Sequence, residues 1–227
     1  MNSMVITIDG PAGAGKTTIS RKLADLLDYR YVDTGALYRG VAWMAERQHV
    51  DLEDEKALGA FLQNLRLNLE RNGSGSLKLL ANGEDITAEI RTPAMSMAAS
   101  SVAKRPQVRA FLLNVQRQLG AEKDVVFEGR DMGTVVFPQA DVKFFLTADV
   151  LVRARRRHAE LPDHAGQNLK DVLADMQRRD AQDAGRDLAP LAAAPDAVHI
   201  DASELTVDEV LAMMMRCIRD KSGIQGR

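Results

Sequence analysis

The sequence predicts an α/β fold in which a parallel five-stranded sheet is flanked by helices, with a small antiparallel β insert and a helical lid. Three observations lead to this fold class. Strand-like and helix-like segments alternate along the chain, as βαβ crossovers require. The strand-like segments are short apolar runs rich in β-branched residues, the pattern of strands buried on both faces. A glycine-rich stretch sits where the first strand would pass into the first helix, and open α/β sheets gather their ligands at such ends.

The first strand is residues 5–8, with Val5, Ile6 and Ile8 as its apolar run. Ile19, Leu23, Leu26 and Leu27 come next at i, i+4, i+7 and i+8, the stripe of an amphipathic helix. Between them lies "GPAGAGKTT", which fits G-x-x-x-x-G-K-T with Gly10, Gly15, Lys16 and Thr17 in the fixed positions. Such a loop curls so that successive N–H groups point at phosphate oxygens, so Gly10, Pro11, Ala12, Gly13, Ala14, Gly15, Lys16, Thr17 and Thr18 are the candidate residues for a nucleotide's phosphates. Lys16 would reach the β and γ phosphates, and the Thr17 hydroxyl could ligate Mg²⁺. Strand, loop and helix together make the sheet of the P-loop NTPase type.

The other core strands are expected at residues 29–32, 125–127, 142–146 and 197–200. Residues 65–90 break the βα rhythm. Leucines alternate at 65, 67 and 69 and again at 77 and 79, and "NGSGS" and "NG" supply turns, which predicts the antiparallel insert. A basic segment, "RARRRHAELPDHAG" at residues 153–166, runs into a Pro- and Gly-containing loop and is read as a mobile lid. In the next helix, Leu169, Val172, Leu173 and Met176 form the buried stripe, with Arg179, Asp183 and Arg186 on another face. Thr206 and Glu209 have the spacing of a capping box at the start of the last helix. The chain is expected to divide into a core domain of residues 1–34 and 121–227 and a second region of residues 35–120 that carries the insert.

Composition narrows the classes. The hydrophobic share is 45%, the charged share 27% and the net charge −2, an ordinary globule rather than a nucleic-acid binder. The single cysteine, Cys217, excludes an internal disulfide and suits a cytoplasmic setting. No apolar run reaches membrane-span length, and "MNSMVITI" lacks a signal peptide's basic start and cleavage site. The four histidines show no metal-ligand spacing.

A phosphate loop alone does not name the acceptor. There is no Asn-Lys pair for a guanine-reading N-K-x-D, and the third core strand leads into "FEGRDMGTVVFP" rather than an Asp-Glu pair. The segments at the ends of the strands are rich in arginine: "DTGALYR", "EGRDMGT" and, further on, "RRDAQDAGRDLAP". That favours a second anionic substrate over a switch or a motor.

These segments, with "EIRT", "AASSVA" and "RPQVR" between them, stand in the order found in bacterial cytidylate kinases, which the chain resembles from residue 4 to about 220. Thr34 stands where Ser is common in that family, and Glu128 where Asp is common. The resemblance implies a monomeric cytoplasmic enzyme that transfers the γ-phosphoryl group of ATP to CMP or dCMP with Mg²⁺, without nucleic acid or membrane partners. It marks Lys16, Arg39, Arg130 and Arg186 as catalytic, with Arg39 and Arg130 at the acceptor phosphate. It puts Thr34 in the CMP site, Ser100, Arg109 and Asp131 near the base, and Arg179, Asp183 and Arg186 near the ribose. Arg153 and Arg157 of the lid would meet ATP, and Glu128 would stand in the outer shell of the metal. The chemistry is consistent, because cytosine offers an N4 donor beside N3 and O2 acceptors. A carboxylate such as Asp131 can take the donor, and it would oppose the carbonyl of uracil. The rival readings are a P-loop kinase for UMP or a shikimate-like acid, and a non-catalytic ATP sensor.

Overall fold

The computed structural model describes residues 3–71, 77–160 and 167–222. β1 (Val5–Asp9) is buried along its whole length because it is the middle strand of the main sheet. It runs parallel to β6 (Val125–Gly129) on one side and to β7 (Val142–Thr147) on the other. β2 (Arg30–Asp33) lies beyond β6, and β8 (Val198–Asp201) lies parallel to β7 at the opposite edge. The five-stranded parallel sheet therefore has the order β2-β6-β1-β7-β8. The three central strands bury nearly every residue, which explains why they read as continuous apolar runs.

The chain separates into two compact units, Met1–Val32 with Glu122–Arg227, and Asp33–Ala121. In the first, α1 (Lys16–Leu27) buries Ile19, Leu23, Ala24 and Leu27, but Leu26 is 59% exposed. Lys16 and Ser20 are buried too, so the inward face of α1 centres near Leu23 and Leu27. At 100° per residue Leu26 falls about a quarter turn from that centre, and its place in the predicted stripe is corrected. α6 (Val150–Ala159) and α7 (Leu169–Ala184) pack through Ala154, Val172 and Met176, with Leu169 and Leu173 half-buried beside them. α8 (Val207–Ser222) opens on the expected capping box: the Thr206 N–H donates to Glu209 Oε2 at 2.8 Å, and the Glu209 N–H to Thr206 Oγ1 at 3.3 Å.

The second unit holds α2 (Thr34–Arg47), α3 (Glu55–Asn64), α4 (Pro93–Val102) and α5 (Pro106–Gly120). It also holds the insert, a three-stranded sheet of β3 (Leu67–Arg71), β4 (Leu77–Ala81) and β5 (Glu84–Asp85). β3 and β4 pair antiparallel with Leu69 opposite Leu79, and Leu67 and Leu79 enter a core shared with Leu37 and Val41 of α2. Leu65 joins that core from just ahead of β3. The "NG" turn is Asn82–Gly83, both at positive φ, whereas the "NGSGS" turn lies outside the described residues. Residues 161–166 of the expected lid also lie outside them. Among the described residues, no helix is long and apolar enough to cross a membrane.

Candidate active site

The glycine-rich loop is a tight passage between β1 and α1. Gly10 has φ +148°, and a Cβ there would stand 2.0 Å from the Leu146 carbonyl oxygen, so only glycine lets the chain leave β1 at this point. Gly15 is left-handed at the helix entry, and no side chain caps α1 or adds an acid to its first turn. Its N-terminal N–H groups are therefore available to an anion.

Lys16 is 4% exposed and donates from Nζ to the Pro11 carbonyl at 2.7 Å. Burial above all, then the charges of Arg130 and Arg179, lower its pKa to about 7 against the pull of Glu128 and Asp9. A bound polyphosphate would replace that repulsion with attraction. Next to it the Thr17 hydroxyl donates to Glu128 Oε1 at 2.8 Å, and Tyr31 Oη donates to Glu128 Oε2 at 2.5 Å. One hydroxyl and one carboxylate are hard oxygen donors. They suit Mg²⁺, which takes few protein ligands and the rest from phosphates and water. Among the described residues no group of three or more His, Cys, Asp or Glu could hold a metal by itself.

After β6, Arg130 donates from Nε to Asp183 Oδ2 at 3.0 Å and from Nη1 to the Gly129 carbonyl at 3.1 Å. Arg186 Nη2 donates to Asp183 Oδ1. Asp183 is 1% exposed; burial by itself would raise its pKa, and Arg130, Arg186 and Arg179 together outweigh that and hold it low. α7 stops at Ala184 with Gly185 as its cap, so Arg186 is not part of the helical face predicted for the trio. It reaches Asp183 from the turn beyond the helix. Lys16, Glu128, Arg130, Arg179, Asp183 and Arg186 are thus brought together in one unit. Asp131, next in the chain, is buried at the head of a π-helical turn, Met132–Val136.

Arg153 departs from the lid reading. It sits in α6, 6% exposed, with Nε on the Ala148 carbonyl at 2.8 Å, Nη1 on the Ala12 carbonyl at 3.0 Å and Nη2 on Asp180 Oδ2 at 2.7 Å. The Ala12 contact ties α6 to the phosphate loop, so Arg153 braces that loop. Arg157, two-fifths exposed, pairs with Glu160 at 3.3 Å in the same helix.

In the second unit, Asp33 caps α2 by accepting the Ala36 N–H at 3.0 Å, and its other oxygen takes Arg39 Nη2 at 2.8 Å. Thr34 and Ser100 are buried, and the Arg109 guanidinium lies 5.9 Å from the centre of the Tyr38 ring. Sequence reasoning missed Tyr31 and Asp9. β2 and β6 are far apart in sequence, so no local signal could show Tyr31 meeting Glu128. Asp9 was readable only as the last polar residue before the loop.

A strand, phosphate loop and helix followed by arginines on a buried carboxylate fit a phosphotransferase. The cytidylate kinase family matches residues 6–220. The chain belongs to the cytidylate kinase family. It is 46% identical to the cytidylate kinase of Geobacter sulfurreducens over 219 residues, covering 96% of this chain and 94% of that protein. It is 43% identical to the cytidylate kinase of Geobacter sp. strain M21, covering 97% and 94%. Among solved structures, an uncharacterized protein from Eubacterium ventriosum shares the fold, with a TM-score of 0.52 at 14% identity over 95% of this chain and 98% of that one. Within the cytidylate kinase frame, the Asp183 cluster stands beside the phosphate loop in the first unit, and Asp33 with Arg39 in the second.

Proposed function

We propose that the chain, as a cytidylate kinase, transfers the γ-phosphoryl group of ATP to CMP or dCMP, giving ADP and CDP or dCDP. The observation that carries this reading is the cationic group of Arg130, Arg179 and Arg186 around buried Asp183, with Lys16 of the phosphate loop near Arg130 and Arg179. Two polyanions must approach each other closely in this reaction, and their repulsion is the main obstacle. The acceptor phosphate is already ionised at neutral pH, so no general base is needed. Catalysis is then positioning and charge neutralisation.

In the proposed arrangement, residues 10–18 hold the ATP phosphates and Lys16 bridges the β and γ groups. Arg39 and Arg130 bind the acceptor phosphate. Ser100, Arg109 and Asp131 read the cytosine edge, and Arg179, Asp183 and Arg186 serve the ribose. Arg157 approaches ATP, whereas Arg153 acts on it through Ala12. Thr17 would hold Mg²⁺ with Glu128 behind it, and the ion would supply neutralisation of charge on the β and γ oxygens. The proposed state is a cytoplasmic monomer.

A coupled assay with ATP, Mg²⁺ and each of CMP, dCMP, UMP, AMP and shikimate tests the reading. Rapid ADP release with CMP and dCMP alone is the expected result. Turnover with UMP or shikimate instead, or ATP binding without turnover, would replace it with one of the rivals.

A further inference from the structure

The loop after β6 takes its position from a residue outside it. Asp9 ends β1 and is 3% exposed. Its Oδ1 accepts the Met132 N–H at 2.9 Å and its Oδ2 the Gly133 N–H at 2.7 Å, the first N–H groups of the π-helical turn. The turn continues through Val135 and Val136, whose N–H groups donate to the Asp131 carbonyl at 2.9 and 3.2 Å. Asp131 therefore belongs to the same hydrogen-bonded unit, and Arg130 precedes it directly.

The anchor itself is rigid. Asp9 is held in register between Gly129 and Phe145 of the neighbouring strands, and Gly10 after it passes so close to Leu146 that no Cβ would fit there. A site is most precise when its support comes from such an element.

We propose that Asp9 is a positioning residue for acceptor binding: by holding the Met132 and Gly133 N–H groups, it sets the backbone that presents Arg130 and Asp131. The inference rests on the assignment of those two residues to the CMP site.

A buried carboxylate is a costly way to hold a turn, since a neutral oxygen could accept the same bonds. The cost is visible in its pKa, which burial chiefly raises to about 6, with Asp131 adding to the rise and the two N–H bonds and Lys16 opposing it. Lys143, whose stem would stand 3.2 Å from a Cβ on Gly133, spends its ammonium on the Pro138 carbonyl and Asp196. Lys16 favours the ionised form of Asp9, and with a pKa of about 6 Asp9 remains mostly ionised at neutral pH at the expense of stability.

The test is Asp9→Asn in the full chain, with CMP and ATP binding measured separately by calorimetry at pH 8. Asparagine keeps one acceptor oxygen but turns an NH₂ toward the other N–H. The dissociation constant for CMP should rise about tenfold, as for one buried hydrogen bond lost, while that for ATP changes less than twofold. A residue that merely holds the fold would move both constants alike or neither, and either result overturns the proposal. Should the variant melt early, the same ratio is read below its transition, and Asp9→Glu, with both oxygens retained, should recover part of the CMP affinity. Arg130→Ala is the control. If it weakens CMP binding and Asp9→Asn does not, the inference fails alone; if neither does, the assignment of Arg130 fails and takes the inference with it.

Discussion

Asp183 accepts from a different guanidinium at each carboxylate oxygen, and this changes what its removal should do. If it only met the ribose, Asp183→Asn would spare dCMP, which has no 2′-hydroxyl. Because it also aims Arg130 and Arg186, the variant should lower kcat/KM for both substrates, on the order of a hundredfold, with a lower Tm from the unpaired buried charges. A carboxylate has lone pairs left after two such bonds. CMP should therefore lose roughly tenfold more than dCMP, the value of one charged hydrogen bond. Equal losses in the two kcat/KM values would leave Asp183 only its hold on the arginines. Lys16 makes the opposite trade. Lys16→Met should cost about a hundredfold in kcat, or ~3 kcal/mol of transition-state stabilisation. Yet the substrate-free variant should melt no lower than the wild type. The folded pKa of Lys16 is about 7 against 10.5 unfolded, so the unfolded chain holds more protons between those values and wild-type stability rises with pH there. The advantage of the methionine should be widest below pH 7 and fade above 10.5, which melting curves across pH would show.

Among the elements, the central strands follow from local pattern alone, whereas helix faces and helix ends depend on what they meet. β1, β6 and β7 were legible because a strand buried on both faces has to be apolar throughout. Leu26 was misplaced because buried Lys16 and Ser20 turn the inward face of α1, a bias that a hydrophobic stripe cannot record. α7 ended before Arg186 because Gly185 caps it, although the spacing alone continued the helix. α6 is the most instructive case. Its arginine run reads in the sequence as part of a mobile lid, but Arg153 spans Ala148, Ala12 and Asp180 and so ties the phosphate loop to α6 and α7. Only the guanidinium fork can reach all three, since lysine offers a single point of charge. Arg153→Lys should therefore weaken ATP binding by roughly tenfold, the value of about one such bond, with the CMP constant little changed. Equal weakening of both nucleotides would mean that α6 supports the unit in general and not the loop.

At the scale of the whole molecule, the proposed function assigns base selectivity to Ser100, Arg109 and Asp131, separate segments whose shared role no local pattern in the sequence encodes. Only the resemblance of the entire chain suggested it. Asp131→Asn tests the part that chooses cytosine over uracil. Aspartate is an acceptor only, whereas the amide can also donate. Its NH₂ can turn toward O4 of uracil, so the penalty against UMP should shrink. Its oxygen can still meet N4 of cytosine, but without the charge that strengthens the bond. kcat/KM for CMP should fall tenfold or more, about 1.5–3 kcal/mol, while that for UMP falls much less or rises. Asp131 also lies close enough to raise the pKa of Asp9, so the variant should lower that pKa. If Asp131 served only to orient Arg130, CMP and UMP would fall in equal proportion. An unchanged CMP/UMP ratio of kcat/KM would then remove it from the base-reading role, and the discrimination would have to come from Ser100 and Arg109 alone.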